Sequence, residues 1–251
     1  MLIDQVCDFL LPSAGTHVVT DVRLGLGYTA VQLDDGRCGL AYTFRDELKE
    51  GCGVVSAPGT LRTRRATELA TWAKSIDPLE AAVGLATLNA LIEAPPTAMN
   101  ADLLTELNVF PDDAVGMVGA FGPFIEPLRS RSKVLHVFER RPEGRSGVLP
   151  ESAANEILPN CQVVILTATT LLNRTLDDLL TYCLAAREVA IVGPSTPLLP
   201  DVFSDRGVTL LSGVKVVDGE RALHVVSEGG GTRQLAPAVR KLTVRCLPRC
   251  N

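Results

Sequence analysis

An α/β protein in two parts, a small α+β unit followed by a larger parallel-sheet unit, is what this 251-residue sequence predicts. Three observations carry the prediction. The first third holds short strand-like runs joined by tight-turn dipeptides. The remainder alternates short, wholly apolar runs with helix-sized segments, the pattern of a parallel sheet covered on both faces. Between them stands Ala94-Pro95-Pro96, which cannot continue a helix. A chain of this length buries one large core or two modest ones, and a change of patterning midway favours two. The expected units are therefore residues 1–96 and 97–251.

In the first unit, residues 2–11 read as an amphipathic helix. Strands follow at His17–Leu24, Tyr28–Leu33 and Arg37–Phe44. Asp35-Gly36 marks a tight hairpin, because glycine accepts the positive φ of a primed turn, and Gly25-Leu26-Gly27 makes a looser one. An irregular glycine-rich passage includes Gly51-Cys52-Gly53 and Pro58-Gly59. Two helices then follow, Arg65–Ser75 and Pro78–Glu93, the second with Asp77 as N-cap and Pro78 in its first turn. This is a small meander backed by helices.

The second unit has apolar runs at Ala114–Val118, Lys133–Phe138, Gln162–Leu166, Glu188–Val192 and Val208–Leu211. Helices are expected at 122–131, 151–158, 171–186 and 199–206. Val214–Val217 and Ala222–Val226 flank Asp218-Gly219 and read as a terminal hairpin. A last helix, Arg233–Leu242, follows Gly229-Gly230-Gly231.

Composition excludes several classes. No apolar run reaches the ~20 residues of a membrane span. The N-terminal stretch lacks a basic segment and is interrupted by Asp4 and Asp8, which argues against a signal peptide. A net charge of -5 argues against nucleic acid as a partner. The cysteines (7, 38, 52, 161, 183, 246, 250) are odd in number and include no CxxC, so neither a disulfide framework nor a zinc knuckle is indicated, and the expected setting is cytoplasmic. His17, His136 and His224 are far apart within apolar strand patterns, where packed neutral rings are the usual outcome. Cys246-x₃-Cys250 reads as incidental, and Arg62, Arg64 and Arg65 as a solvated helix start.

Four places carry chemistry. Val115–Phe124, read VGMVGAFGPF, is a strand–turn–helix with glycines at 116, 119 and 122 and Pro123 in the first helical turn. The spacing differs from the dinucleotide fingerprint, but the physical use is similar: glycine lets the backbone approach a ligand, and free N–H groups at a helix start attract an anion. A tight turn with no ligand explains it equally. Glu139 ends the next strand about 20 residues on, where dinucleotide folds place a ribose-binding acid. Thr167, Thr169, Thr170 and Asn173 cluster after the third strand, more polar groups than helix capping alone needs. Gly193, Pro194, Ser195 and Thr196 open a stiff loop after the fourth strand; without G-x-S-x-G or a nearby histidine, Ser195 is not a hydrolase nucleophile. With strands in the order second, first, third, fourth, fifth, the topological switch lies between first and third. Gly119–Pro123 would then lie next to Thr167–Asn173, with Gly193–Thr196 on the far side, so that these three loops line one crevice at the carboxyl ends of the strands.

As an ordered set the sequence resembles the two-domain family labelled "putative heavy-metal chelation", in which an enolase N-terminal-like domain precedes a Rossmann-like domain. The residues that carry the resemblance are Gly84-Leu-Ala-Thr-Leu-Asn89-Ala90, Gly116-Met-Val-Gly119, Phe121 with Pro123, Glu139 and Ile157-Leu-Pro159. It continues through Val163-Val-Ile-Leu-Thr167, Thr170-Leu-Leu-Asn173 with Thr175, and Gly193-Pro-Ser-Thr-Pro197. Gly122 departs from it, standing where a bulkier residue is expected. The resemblance implies a site in the cleft between domains, adding Asn89 and Tyr28 to the crevice. It implies binding or handling of a small-molecule or metal-complex ligand, with a transition metal or metal chelate as the group bound, and leaves a homodimer open. Oxygen donors such as Glu139 and the threonines would suit a hard ion or a pre-formed complex. Two alternatives stand beside it: an enzyme using a nucleotide or S-adenosylmethionine-like cofactor, and a non-catalytic sensor or assembly partner in metal homeostasis.

Overall fold

A computed structural model describes residues 1–48 and 54–247; Gly51-Cys52-Gly53 and Cys250 lie outside the described residues. Helix α1, Leu2–Leu10, buries Leu2, Ile3, Val6, Cys7 and Leu10 on one face. Strands β1 (Val19–Leu24), β2 (Tyr28–Leu33) and β3 (Cys38–Tyr42) form an antiparallel meander in that order. Helix α2 (Ala66–Ala70) tightens into a 3-10 turn at Thr71–Lys74, so the expected helix over 65–75 is two short pieces. Helix α3 (Pro78–Leu91) starts as the sequence indicates: the Asp77 carboxylate accepts from the N–H groups of Leu79 and Glu80.

Beyond it come α4 (Leu103–Glu106), β4 (Ala114–Val118), α5 (Gly122–Arg131), β5 (Val134–Glu139), β6 (Val148–Pro150), α6 (Ala154–Ile157) and β7 (Val163–Thr167). They are followed by α7 (Leu176–Thr181), β8 (Glu188–Val192), α8 (Pro200–Phe203), β9 (Leu210–Val216), α9 (Gly219–Ser227), α10 (Thr232–Leu235) and β10 (Val239–Arg245). The seven strands run in the order β10-β9-β8-β7-β4-β5-β6. All neighbours are parallel except β9 and β10. The architecture is mixed α/β, and the order of the five expected strands, with the switch between β4 and β7, is the one read from the sequence.

The C-terminal region departs from expectation. Val214–Val217 belongs to the long strand β9, and Ala222–Val226 lies in helix α9, whose N-cap Asp218 accepts from the Arg221 N–H. A hairpin is therefore replaced by a strand–helix turn, and His224 is an exposed helical residue rather than a strand residue. The expected helix Arg233–Leu242 is only α10 and a 3-10 turn; from Val239 the chain pairs with β9 over seven residues. The segment 171–186 holds the short helix α7 instead of one long helix. Edge strand β6 and helix α4 are additional to the expected elements.

Each sheet is covered twice. On the meander, Val31, Leu33 and Ala41 face the α3 side, while Tyr28, Ala30, Cys38 and Leu40 pack with Ala222, Leu223 and Val226 of α9. The alternation follows the period-2 pleat of a strand. On the larger sheet, Val115, Met117, Val137 and Ile165 pack with Leu103 and Leu128 of α4 and α5. The opposite face (Val118, Phe138, Val164, Leu166, Ile191) shares one continuous apolar cluster with α1, α3, α7 and α8. Helix α1 is tied to this layer by the Leu2 N–H, which donates to both oxygens of Asp177 at 3.1 and 3.0 Å.

Candidate functional site

The carboxyl ends of β4, β5, β7 and β8 look across a gap at Tyr28 of β2, Tyr42 of β3 and the short turn Arg45–Glu47. Between them lies a cavity of about 370 Å³, within the ~300–1,000 Å³ range of small-molecule sites. Of the residues singled out in the sequence, its wall includes Gly119, Phe121, Glu139, Thr167, Thr169, Thr170, Asn173, Gly193, Pro194 and Ser195, together with Tyr28. Three do not line it. Pro123 is exposed on the first turn of α5. Asn89 and Thr196 face a separate void of about 50 Å³ behind the cavity.

The glycine loop is a rigid wall. Gly119 has φ +94°, and a Cβ built on it would stand 3.0 Å from the Thr167 Cβ, so a side chain here meets both strain and a neighbouring strand end. The loop's amides are engaged internally. Gly119 N–H donates to the Phe138 carbonyl at 2.8 Å, Phe121 N–H to the Gly119 carbonyl at 3.0 Å, and Ala120 N–H to Glu139 Oε1 at 2.8 Å. With Pro123 lacking an N–H, this turn is a poor phosphate cradle, and the ligandless-turn explanation accounts for most of its backbone. Glu139 Oε1 also accepts from Arg145 at 3.0 Å, so the carboxylate at the end of β5 braces the loop.

Several hydroxyls are likewise occupied. Thr170 donates to the Thr167 carbonyl at 2.6 Å, and Thr167 and Thr169 share a hydrogen bond of 3.0 Å. Asn173 Oδ1 accepts from the N–H and hydroxyl of Thr175. Ser195 is buried, and its Oγ accepts from the Tyr42 N–H at 2.8 Å. Asn89 donates to the carbonyls of Leu40 and Ser195; with the Ser195–Tyr42 bond it pins the β8 loop to the meander. Thr196 donates to the carbonyls of Gly193 and Ser212. These residues fix the shape of the cavity; Thr167, Thr169 and Asn173 still present polar atoms on its surface.

The side chains that charge the wall were not singled out as site residues. Arg140, Arg141 and Arg145 come from the loop between β5 and β6, and Asp46, Glu47 and Glu151 join Glu139. Arg140 reaches across to Glu47 at 2.5 Å and lies 5.6 Å from the Phe44 ring centroid; Arg141 stands 3.9 Å from Asp46. Tyr28, Tyr42 and Phe44 form an edge-to-face row along the meander side. Tyr28 is buried and hydrogen-bonds Thr232, and burial raises its phenol above the ordinary range.

Neither histidine nor cysteine lines the cavity among the described residues. Among the described residues, the one group of three potential ligands with atoms close enough for a metal ion is His17, Asp34 and Asp35, at the far turn of the meander. Arg37 fills that group: it donates to Asp35 at 2.6 Å and approaches His17 Nε2 at 2.8 Å, while His17 Nδ1 faces Asp34 at 2.8 Å. The five described cysteines are buried, and burial pushes the thiols of Cys38, Cys183 and Cys246 up to about 12.

Comparison with known proteins bears on the whole chain. Two family models, each described as "Putative heavy-metal chelation", match residues 7–92 and 102–245. An uncharacterized protein of Methanocaldococcus jannaschii is 28% identical over 234 residues, covering 90% of this chain and 89% of the relative. A crystal structure of a protein of unknown function from Pyrococcus horikoshii superposes with a TM-score of 0.86 at 24% identity, covering 98% of this chain and all of that one. Another, from Desulfitobacterium hafniense, gives 0.80 at 26% identity over 97% and 98% of the two chains. Both structures carry the family designation of the model that matches the C-terminal part.

Proposed function

The chain belongs to the family described as "Putative heavy-metal chelation", and from that premise we propose that it binds a metal ion already held by a small organic chelator, in the cavity between its two sheets. The observation that carries this reading is the donor set of the wall. A bare transition ion asks for three or four converging nitrogen, sulfur or oxygen ligands. Among the described residues the cavity has no histidine or cysteine, and none of its acids belongs to a three-ligand group. It does have three arginines, whose planar forks suit carboxylates on a chelator, threonine and amide groups for further hydrogen bonds, and an aromatic row for apolar parts.

In this role the protein recognises the complex as a whole, and the metal is cargo rather than a resident cofactor. Arg141 and Arg145, each more than half exposed, turn toward the ligand at little expense, because surface ion pairs contribute only ~0–1 kcal/mol. Glu139, through its bond to the Ala120 N–H, keeps the glycine loop in place. The engaged loop amides speak against the nucleotide-cofactor alternative, which needs them free.

Native mass spectrometry with elemental analysis of freshly purified protein tests the reading. The expected result is a near-stoichiometric transition metal accompanied by additional organic mass, both lost on unfolding. An adenine-containing adduct, or a metal retained with no organic mass, would overturn it.

A further inference from the structure

The cavity's charges do not balance, and the imbalance sits on one residue. Among the described residues, three of its four acids are each matched to an arginine: Glu47 to Arg140, Asp46 to Arg141 and Glu139 to Arg145. Glu151 makes no ion pair within 4 Å among the described residues. It is half-buried at the start of the 3-10 turn Glu151–Ala153, directly after β6. Together with Arg140 it forms the partition between the main cavity and an outer hollow of about 470 Å³ bounded by Asn155, Thr175, Asp178 and Tyr182. A carboxylate taken partly out of water with no ion pair closer than 4 Å is a local source of negative potential, and the low-dielectric walls concentrate it.

We propose that Glu151 is the cation-receiving group of the cavity, so that the ligand lies with its positive centre against Glu151 and its anionic arms toward Arg141 and Arg145. This rests on the reading of the cavity as the binding site, and it specifies the ligand class further: a complex with one cationic face and one oxyanionic face. The neighbours of Glu151 agree with that assignment. Burial raises its pKa, the charge of Arg140 and the Thr175 hydroxyl pull it back, and Glu139 adds like charge. Arg140 makes its close contacts with Glu47 and Phe44, so Glu151 is the one described acid of the wall with no arginine within 4 Å. The partition position lets a cation reach it from either hollow.

Paramagnetic relaxation with Mn(II) as the probe tests this on the full chain, independently of which chelator is natural. Carboxylate resonances of glutamate and aspartate side chains are followed by carbon-13 NMR during a titration to millimolar Mn(II). Glu151 is expected to broaden first within the cavity, before Glu47 and Glu139, and Glu151→Gln should reduce the broadening of Glu139 severalfold. Asp34→Asn, remote from the cavity, should leave the pattern unchanged. Broadening that starts at Glu47 or Asp46, or a Glu151 resonance that stays sharp at 10 mM (about the upper end of useful site affinity), would overturn the assignment. The wild-type titration decides it even if the glutamine variant folds poorly. Absence of a co-purified metal complex would refute the proposed cargo while leaving the Mn(II) result to stand or fall alone.

Discussion

Substituting the glycines of the β4–α5 turn one at a time separates three physical roles that look identical in the sequence. Gly119→Ala puts a Cβ where φ is +94°, a conformation disfavoured for an L-residue by ~1–2 kcal/mol. The same Cβ stands 3.0 and 3.2 Å from the Thr167 Cβ and Cγ2 and 3.3 Å from Phe121. Thr167 ends β7 and shares its hydroxyl with Thr169, so it yields only with its strand, and overpacking of this kind adds ~1–2 kcal/mol. The sum is about 2–4 kcal/mol, and with ~2–4 °C per kcal/mol for a chain of this size, Tm should fall by roughly 5–15 °C. Gly122, three positions on, has no atom within 4 Å of its added Cβ and no positive φ, and it opens helix α5. Gly122→Ala should therefore raise Tm by about 1–3 °C through the lower entropy of the unfolded chain. Gly116 is intermediate: its added Cβ comes to 2.4 Å of Leu158, but against the movable end of a side chain. Thermal and urea unfolding of the three variants measure the order directly. If Gly119→Ala melts within 2 °C of wild type (under ~1 kcal/mol), or Gly122→Ala falls as far as Gly119→Ala, the account of this turn as a packed, left-handed wall is refuted.

Two further outcomes follow from charge and burial. Asp113 is buried, and although burial alone would raise its pKa, Arg187 at 2.7 Å and the Phe110 N–H hold it below the ordinary aspartate range. Its depressed folded-state value means that it stabilises at neutral pH and that this contribution is lost as pH falls through the acid range. Asp113→Asn should destabilise by about 1–3 kcal/mol at pH 7, with the gap to wild type narrowing below the ordinary aspartate range; a gap that widens there in urea titrations contradicts the assignment. Burial also lifts Cys7 and Cys161 to about 11 and the other three described thiols to about 12, with Lys74 opposing the shift at Cys7. Their thiolate fractions at pH 8 fall by roughly 10²–10³ relative to a free cysteine. Residue-resolved alkylation of the folded protein should leave all five unmodified, and rapid labelling of any one would show the burial to be overdrawn.

Local chemistry decided which elements could be read from the sequence. Asp77-Pro78 announces α3 because capping and the proline ring act within one turn, and Ala114–Val118 or Glu188–Val192 announce strands because burial on both faces makes them apolar throughout. Asp218-Gly219 misled for the same reason it is useful: an aspartate before glycine serves a hairpin turn and a helix N-cap equally. The choice is made by Ala222, Leu223 and Val226 finding the meander, a contact far away in sequence. Val239–Arg245 became a strand because β9 offered an edge, which no local pattern records. The loops of the site were readable from their glycines and hydroxyls. The charged half was not, since Arg140 meets Glu47 across 93 positions and neither residue type is unusual in a loop.

The meander's second cover has a consequence for how the molecule is made. Helix α3 follows β3 closely and can shield one face soon after synthesis. Tyr28, Ala30 and Leu40 on the other face wait for α9, which begins at Gly219. At ~5–20 residues per second that wait is roughly 10–40 s. During it the nascent chain presents an apolar sheet face with nothing of its own to lay on it. A chain truncated before Gly219 is therefore expected to leave Tyr28, Ala30 and Leu40 uncovered and to aggregate or be degraded, and comparing its soluble yield with that of the full chain checks this.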